Sequence, residues 1–406
     1  MEKTSTKFSR FIDNIICVIF VGIILQFLPI LFRIDFLDVV QNSIEDFYIT
    51  DYVFSSMRDY SKIPIDTNII LINTSHFNRK EIAQQVEIIN KYNPKVIAID
   101  AFFKEEKIED LDTPLVNAFS KVKCLVLGTK LIDTDGDDTF DTIETSHPKF
   151  NKFAIAGYVN FSLDDDAFFR TVRRIPIREK MSYDTVYSFP VIISEVYNSI
   201  AVQKLKKRNN RFETINYKRN IDKYITIDAN ELLEKSDSLN FIRGKIVLMG
   251  YIGPDLKTLS TEDIFFTPMN KDYYGRTYPD MYGVVVHANV ISMILEENYI
   301  ETNEFYPIWL NAAIVFLIVF LNMSLFNYMR FRWPWLYEPI SVFLIFAELF
   351  AFFVLVALTF YFLNYLIVLN YLLYGLIFTG MVFELYHDSL KPIVSGKIKF
   401  SIKRKK

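Results

Sequence analysis

Cysteine and histidine are scarce: two cysteines and four histidines in 406 residues. Cys17 lies in an apolar segment and Cys124 in an expected strand, so the chain offers neither a disulfide framework nor a paired-thiolate metal motif. Four scattered histidines likewise argue against a zinc site. No Ser–His–Asp, Cys–His or paired-carboxylate arrangement stands out, so no enzyme activity is expected and no cofactor is implied. Internal repeats and a Gly/Ser-rich linker are also missing. The net charge of −3 is small, but it hides an asymmetry between the ends and the middle of the chain.

What the chain has in abundance is apolar surface. Apolar residues make up 51% of it and phenylalanine alone numbers 38, with the apolar content concentrated at the two ends. Residues 11–32 are apolar apart from Asp13, Asn14 and Gln26 and follow Lys3, Lys7 and Arg10. The run exceeds a signal-peptide core and lacks a small-residue cleavage site, so it reads as an uncleaved anchor. Residues 306–326, 340–362 and 365–386 each carry enough apolar residues to span a bilayer. The flanks are basic: residues 1–10, Arg330 and Arg332 in the 327–338 loop, and the tail 387–406 with seven Lys/Arg against one acid. Four crossings put these flanks on one side, which the positive-inside rule makes the cytoplasm of a bacterial inner membrane. The segment 33–304 then faces outward. Residues 34–304 hold 32 Lys/Arg against 42 Asp/Glu, an excess that excludes nucleic acid as a partner.

The outer segment reads as one α/β domain with a mixed, largely parallel sheet and flanking helices. Asp35–Asp59 reads as a helix leaving the membrane. Asn68–Asn73 and Lys95–Asp100 read as buried strands around an amphipathic helix over Asn78–Lys91, a βαβ unit. Thr113–Ser120 is a short helix and Val122–Gly128 a third strand. Ala154–Phe161 and Phe169–Arg178 look like a hairpin around an acidic turn, and Tyr187–Lys207 like one helix. Arg211–Tyr217 and Tyr224–Asp228 read as short exposed strands, and Ile246–Gly250 as the strand that closes the sheet.

The most organised stretch is Arg243–Asn298. A basic-Gly turn opens the apolar run Ile246–Met249. From Gly283, Val284, His287, Ala288, Ile291 and Leu295 then follow at helical spacing, shortly before the second spanning segment. These landmarks join Pro94–Phe103, Gly157–Asn160, Asp164–Asp166 with Arg170, Ser188–Pro190 and Thr267–Pro268. The ordered set resembles the CHASE2 family, the extracytoplasmic sensor domains of bacterial membrane receptors, which sit between one membrane helix and a cluster of three. Tyr282 departs from the pattern, since the family has proline there, and this is expected to loosen the helix start. Family members commonly continue into a kinase or cyclase. This chain stops about 20 residues after its last span, so the resemblance implies output through a separate partner.

If the strands are parallel, their carboxyl ends gather Asn73, Ser75, His76, Asp100, Tyr251 and Asp255 at one edge, where open α/β sheets bind ligands. Capping of turns by Ser75 and Asp100 explains the same residues. Gly250 and Gly253 fit a turn better than a phosphate loop. Asp133, Asp135, Asp137, Asp141 and Glu144 occupy positions 1, 3, 5, 9 and 12 of a calcium-type loop. Asp138 stands where such loops need glycine, which favours a solvated acidic loop. Asp164–Asp166 with Arg170 fit a surface turn with an ion pair. Gly283 and His287 are candidates for signal relay, with a packed core histidine as the plain alternative. Glu348 lies in mid-span and needs a partner, for which Asn311, Asn322 and Asn370 are placed. The basic tail suits anionic lipid or a docking protein. The sequence therefore points to a receptor-like membrane protein that signals to a protein partner. An envelope scaffold, a homo-oligomer, and a transporter or channel component dependent on Glu348 remain open.

Overall fold

The computed structural model describes residues 2–31, 49–136, 139–163, 171–181, 184–234, 238–271, 278–303, 307–368 and 370–394. The chain forms two units, Thr50–Ile300 and the pair of segments Met1–Ile49 and Glu301–Lys406.

In the first unit, β1 (Asp66–Asn73), α1 (Arg79–Asn90), β2 (Val96–Ile99), α2 (Glu109–Ser120) and β3 (Leu125–Ile132) follow in order. Helix α1 starts where the sequence supplies both halves of a capping box. The Asn78 carboxamide oxygen accepts from the Lys80 and Glu81 N–H groups, and Glu81 accepts from the Asn78 N–H at 2.7 Å. Its Ile82, Val86 and Ile89 face inward against α2 and the sheet. Helix α2 carries Glu109, Asp110 and Asp112 in its first turn, where the helix dipole favours negative charge.

After β3 come β4 (Thr142–Glu144), β5 (Ala154–Tyr158), β6 (Ser162–Leu163), β7 (Val172–Pro176), α3 (Phe189–Tyr197), α4 (Ser199–Arg208), β8 (Phe212–Thr214), β9 (Tyr224–Ile227) and β10 (Ile246–Gly250). Among the described residues the main sheet has seven strands in the order β9-β1-β10-β2-β3-β4, with β5 also on β3. Every pairing is parallel except β3 with β4, so the mixed, largely parallel sheet is as expected.

Four local expectations change. Strand β10 does not close the sheet but lies between β1 and β2, with Val247 beside both Ile70 and Ile97. All five of its residues are buried, which suits a central strand covered on both faces. Residues 154–158 do not enter a hairpin; they run parallel to β3, and the small antiparallel sheet is β6-β7-β8. The helix over 187–207 is two helices. Asn198 leaves helical geometry (φ −148°) and accepts from the Ala201 N–H, so one residue ends α3 and caps α4. Residues 224–227 form an outer strand of the main sheet with Tyr224 and Ile227 buried, rather than an exposed strand.

The unit ends with β11 (Ile264–Phe265), β12 (Met281–Tyr282) and α5 (Gly283–Leu295), whose residues 283–294 are all buried. It packs on α3 and β10. Gly250 permits this approach: a Cβ there would stand 2.8 Å from Val284. Tyr282 does not loosen the helix start. Its backbone (φ −66°) is the one proline would impose, and α5 begins at Gly283.

Among the described residues of the second unit, three helices are long and apolar enough to cross a membrane: the N-terminal helix Glu2–Leu31, α6 (Ile308–Arg332) and α7 (Pro334–Leu363). Pro334 opens α7, where a missing N–H costs nothing. Asn364 ends it in the left-handed conformation. The fourth expected segment contains α8 (Asn370–Glu384), shorter than the other three, which continues as a wider helical stretch, Leu385–Leu390. The helices pack through Cys17, Val21, Val319, Met323, Phe326, Leu376 and Phe383. Asp13 and Asn14 of the first span have partners. Tyr386 donates to Asp13 at 2.9 Å, Lys391 also reaches Asp13, and Asn14 bonds Ser324 and Asn327.

Candidate functional site

The carboxyl edge of β1, β10 and β2 does gather the residues expected there, but divides them among three jobs. Asn73 is fully buried and saturated. Its NH2 donates to Asp228 (3.0 Å) and to the Gly253 carbonyl (3.1 Å), and its oxygen accepts from Ser75 and Ile252 N–H groups (2.9 and 3.0 Å). A side chain with every donor and acceptor engaged has nothing left for a ligand. Ser75 and Asp255 belong to the same fastening. Ser75 donates to the Pro254 carbonyl, and Asp255 accepts from Lys257 N–H, Thr258 N–H and the Thr258 hydroxyl. The Lys257 amide, with both groups of Thr258, holds the Asp255 carboxyl below the usual carboxylate range. Gly253 (φ +104°) turns the chain between them.

His76, Tyr251 and Ser260 form a second chain, exposed at His76 and half-buried at the other two. The Tyr251 hydroxyl lies 3.2 Å from His76 Nε2 and 3.0 Å from the Ser260 hydroxyl. Asp100 belongs to neither group. It turns under the first turn of α5, where its Oδ2 lies 3.8 Å from His287 Nε2. Burial raises the Asp100 carboxyl well above its ordinary range, and the neighbouring Asp263 carboxyl adds to the shift; burial raises Asp263 as well. His287 packs at a tilt against Phe161 and is edged by Phe189, and its Nδ1 is buried without a hydrogen-bond partner. Burial pushes its pKa down to about 3, so the imidazole is neutral at physiological pH.

The relay candidates Gly283 and His287 thus meet one cluster. The Gly283 N–H donates to the Asp263 carbonyl at 2.9 Å, and a Cβ on Gly283 would lie 3.0 Å from the Asp263 carboxylate. Asp263 itself holds a positive φ of 49°, uncommon for a residue with a side chain. Protonation of Asp100 and Asp263 is therefore placed to act on the start of α5. Sequence reasoning missed Asp263, because an acid in a polar loop carries no periodic signal. It also missed Asp280, which sits against the Thr267–Pro268 landmark: Thr267 donates to it through N–H (2.8 Å) and hydroxyl (2.6 Å). Burial outweighs those bonds and raises its carboxyl to about 7.

The remaining candidates are dispersed. Asp133, Asp135 and Asp141 bring carboxylate oxygens within 4.8 Å of one another. Glu144 instead lies in β4 and pairs with Lys104; Asp137, Asp164–Asp166 and Arg170 lie outside the described residues. Glu348 accepts from Asn322 at 2.5 Å. Of the other asparagines placed for it, Asn311 bonds Asn303 instead.

A family profile, the CHASE2 domain, matches residues 17–326. No curated protein and no solved structure matches the chain.

Proposed function

Because the chain belongs to the CHASE2 domain family, we propose that it is a receptor-like protein of a bacterial inner membrane. Its α/β domain faces outward, detects a ligand or an envelope state, and relays that state through the membrane helices to a separate protein partner. The observation that carries this reading is α5. A helix buried at every position from 283 to 294 cannot shift without repacking the domain, so a displacement at one end is carried along its length rather than absorbed locally. Its start meets Asp263 at Gly283 and Asp100 at His287, and its last residue, Leu295, leads along the chain to the spanning helix that starts at Ile308.

The basic flanks support the orientation. Arg330 pairs with Asp388, and Lys391 with Asp13, gathering the basic ends of the N-terminal helix, α6 and the segment after α8. Cross-linking in intact cells followed by purification in detergent tests the relay. Recovery of a distinct protein partner is the expected result; repeated recovery of this chain alone overturns the relay.

A further inference from the structure

The opposite end of α5 carries a site that the carboxyl-edge reading did not anticipate. A cavity of about 180 Å³ opens between the start of β1 and the last turn of α5, lined by Ile65, Asp66, Arg219, Ser292, Leu295 and Glu296. Arg219 is 6% exposed and fixed from every side but one. Asn289 of α5 accepts from its N–H at 3.1 Å and donates to its carbonyl at 2.7 Å. Its Nε donates to the Pro64 carbonyl, and its Nη2 pairs with Glu296 at 2.8 Å. Nη1 is buried and has no hydrogen-bond partner; it makes a 3.8 Å ion pair with Asp66 Oδ2, too long for a hydrogen bond.

A buried guanidinium with an idle donor pair is costly, and a bound anion removes that cost. The rest of the lining has the other sign. Asp66 accepts from Asn68 N–H and the Ser292 hydroxyl, leaving acceptor capacity on a carboxylate that is 8% exposed. Glu296 adds a second carboxylate at the rim, already bonded by Lys218. Arg219, Asp66 and Glu296 thus line one small space, whose volume is below that of sites for drug-sized ligands. We propose that this cavity binds a small zwitterion, a free α-amino acid, with its carboxylate on the Arg219 guanidinium and its ammonium on Asp66 and Glu296. This site rests on the reading that the outer domain detects a ligand. Occupancy there fixes Ser292, Leu295 and Glu296, the end of α5 from which the chain continues to α6.

The test is equilibrium binding to the full chain in detergent or nanodiscs, with the free proteinogenic amino acids as probes and acetate and methylammonium as half-molecule controls. At least one amino acid is expected to bind saturably, and each control at least about tenfold more weakly. Arg219→Gln should weaken binding by about tenfold or more, as loss of a charged hydrogen bond does. Ile65→Trp, at an exposed position on the cavity lining, should block binding while leaving the buried network intact. The site is overturned by absence of saturable binding, by acetate binding as well as the amino acids, or by binding that survives Ile65→Trp. Failure here with a partner still recovered by cross-linking removes the site and leaves the relay standing.

Discussion

His287 Nε2 lies 3.8 Å from Asp100 Oδ2 with 1% and 12% of the two side chains exposed. An imidazole and a carboxyl therefore face each other where water screens little, and their protonation is tied to folding.

The folded domain holds protons on Asp100 that the unfolded chain releases above about pH 4. Its contribution is present at low pH and is lost as the pH rises from about 4 through the raised folded value, by up to about 1.4 kcal/mol per pH unit for one proton. His287 has the opposite sign, since burial depresses its pKa to about 3. Its contribution is present above about 6.5 and is lost as the pH falls below that value. Above about 6.5 only the carboxyl slope remains. Thermal unfolding of the full chain in detergent should give a Tm that declines with pH in that interval, and Asp100→Asn should make the decline shallower, leaving the part due to Asp280. A slope unchanged in the variant would show that the proton resides elsewhere.

Asn73 is a fastener and should behave as one. Asn73→Ala removes four hydrogen bonds of a buried amide and should cost about 3 kcal/mol, a Tm loss of roughly 6–12 °C for a unit of this size. Asn73→Asp keeps the acceptors but turns a carboxylate toward Asp228 and the Gly253 carbonyl, so it should be equally damaging above the carboxylate range. Unchanged stability in both variants would restore Asn73 as a ligand-binding candidate.

The two variants mark where the sequence was legible. Strands such as Ile69–Asn73 and Ile246–Gly250 were readable because burial on both faces leaves an unbroken apolar run. Their neighbour order was not, since a parallel strand pairs through backbone groups that every residue carries. Asp100, Gly283 and His287 were identified because they adjoin periodic elements. Asp263 and Arg219 lie in loops and acquire their roles only from what the fold places over them, Gly283 in one case and Asn289 with Glu296 in the other.

Glu348 and Asn322 make a paired test within the spans. The Asn322 NH2 donates to Glu348 at 2.5 Å, and a Gln at 348 offers the same oxygen. Glu348→Gln should leave thermal stability in detergent within about 0.5 kcal/mol of the parent, whereas Glu348→Ala strands the amide and should cost about 1 kcal/mol. Equal losses in both variants would mean that the charge, and not the hydrogen bond, is what the helices require.

Orientation can be read chemically. Asp13 accepts from Tyr386 and Lys391, and Arg330 pairs with Asp388, so the basic flanks share one end of the helix cluster, the end that the positive-inside rule assigns to the cytoplasm. With Cys17 and Cys124 replaced by serine, single cysteines at Ser9 and at Leu259, which is 91% exposed, report the two sides. A membrane-impermeant maleimide applied to spheroplasts should label Leu259→Cys at once and Ser9→Cys only after detergent is added. The two positions lie in different units, so neither result depends on how those units are arranged. Labelling of Ser9→Cys in intact spheroplasts would invert the topology and move the amino-acid site to the cytoplasmic side.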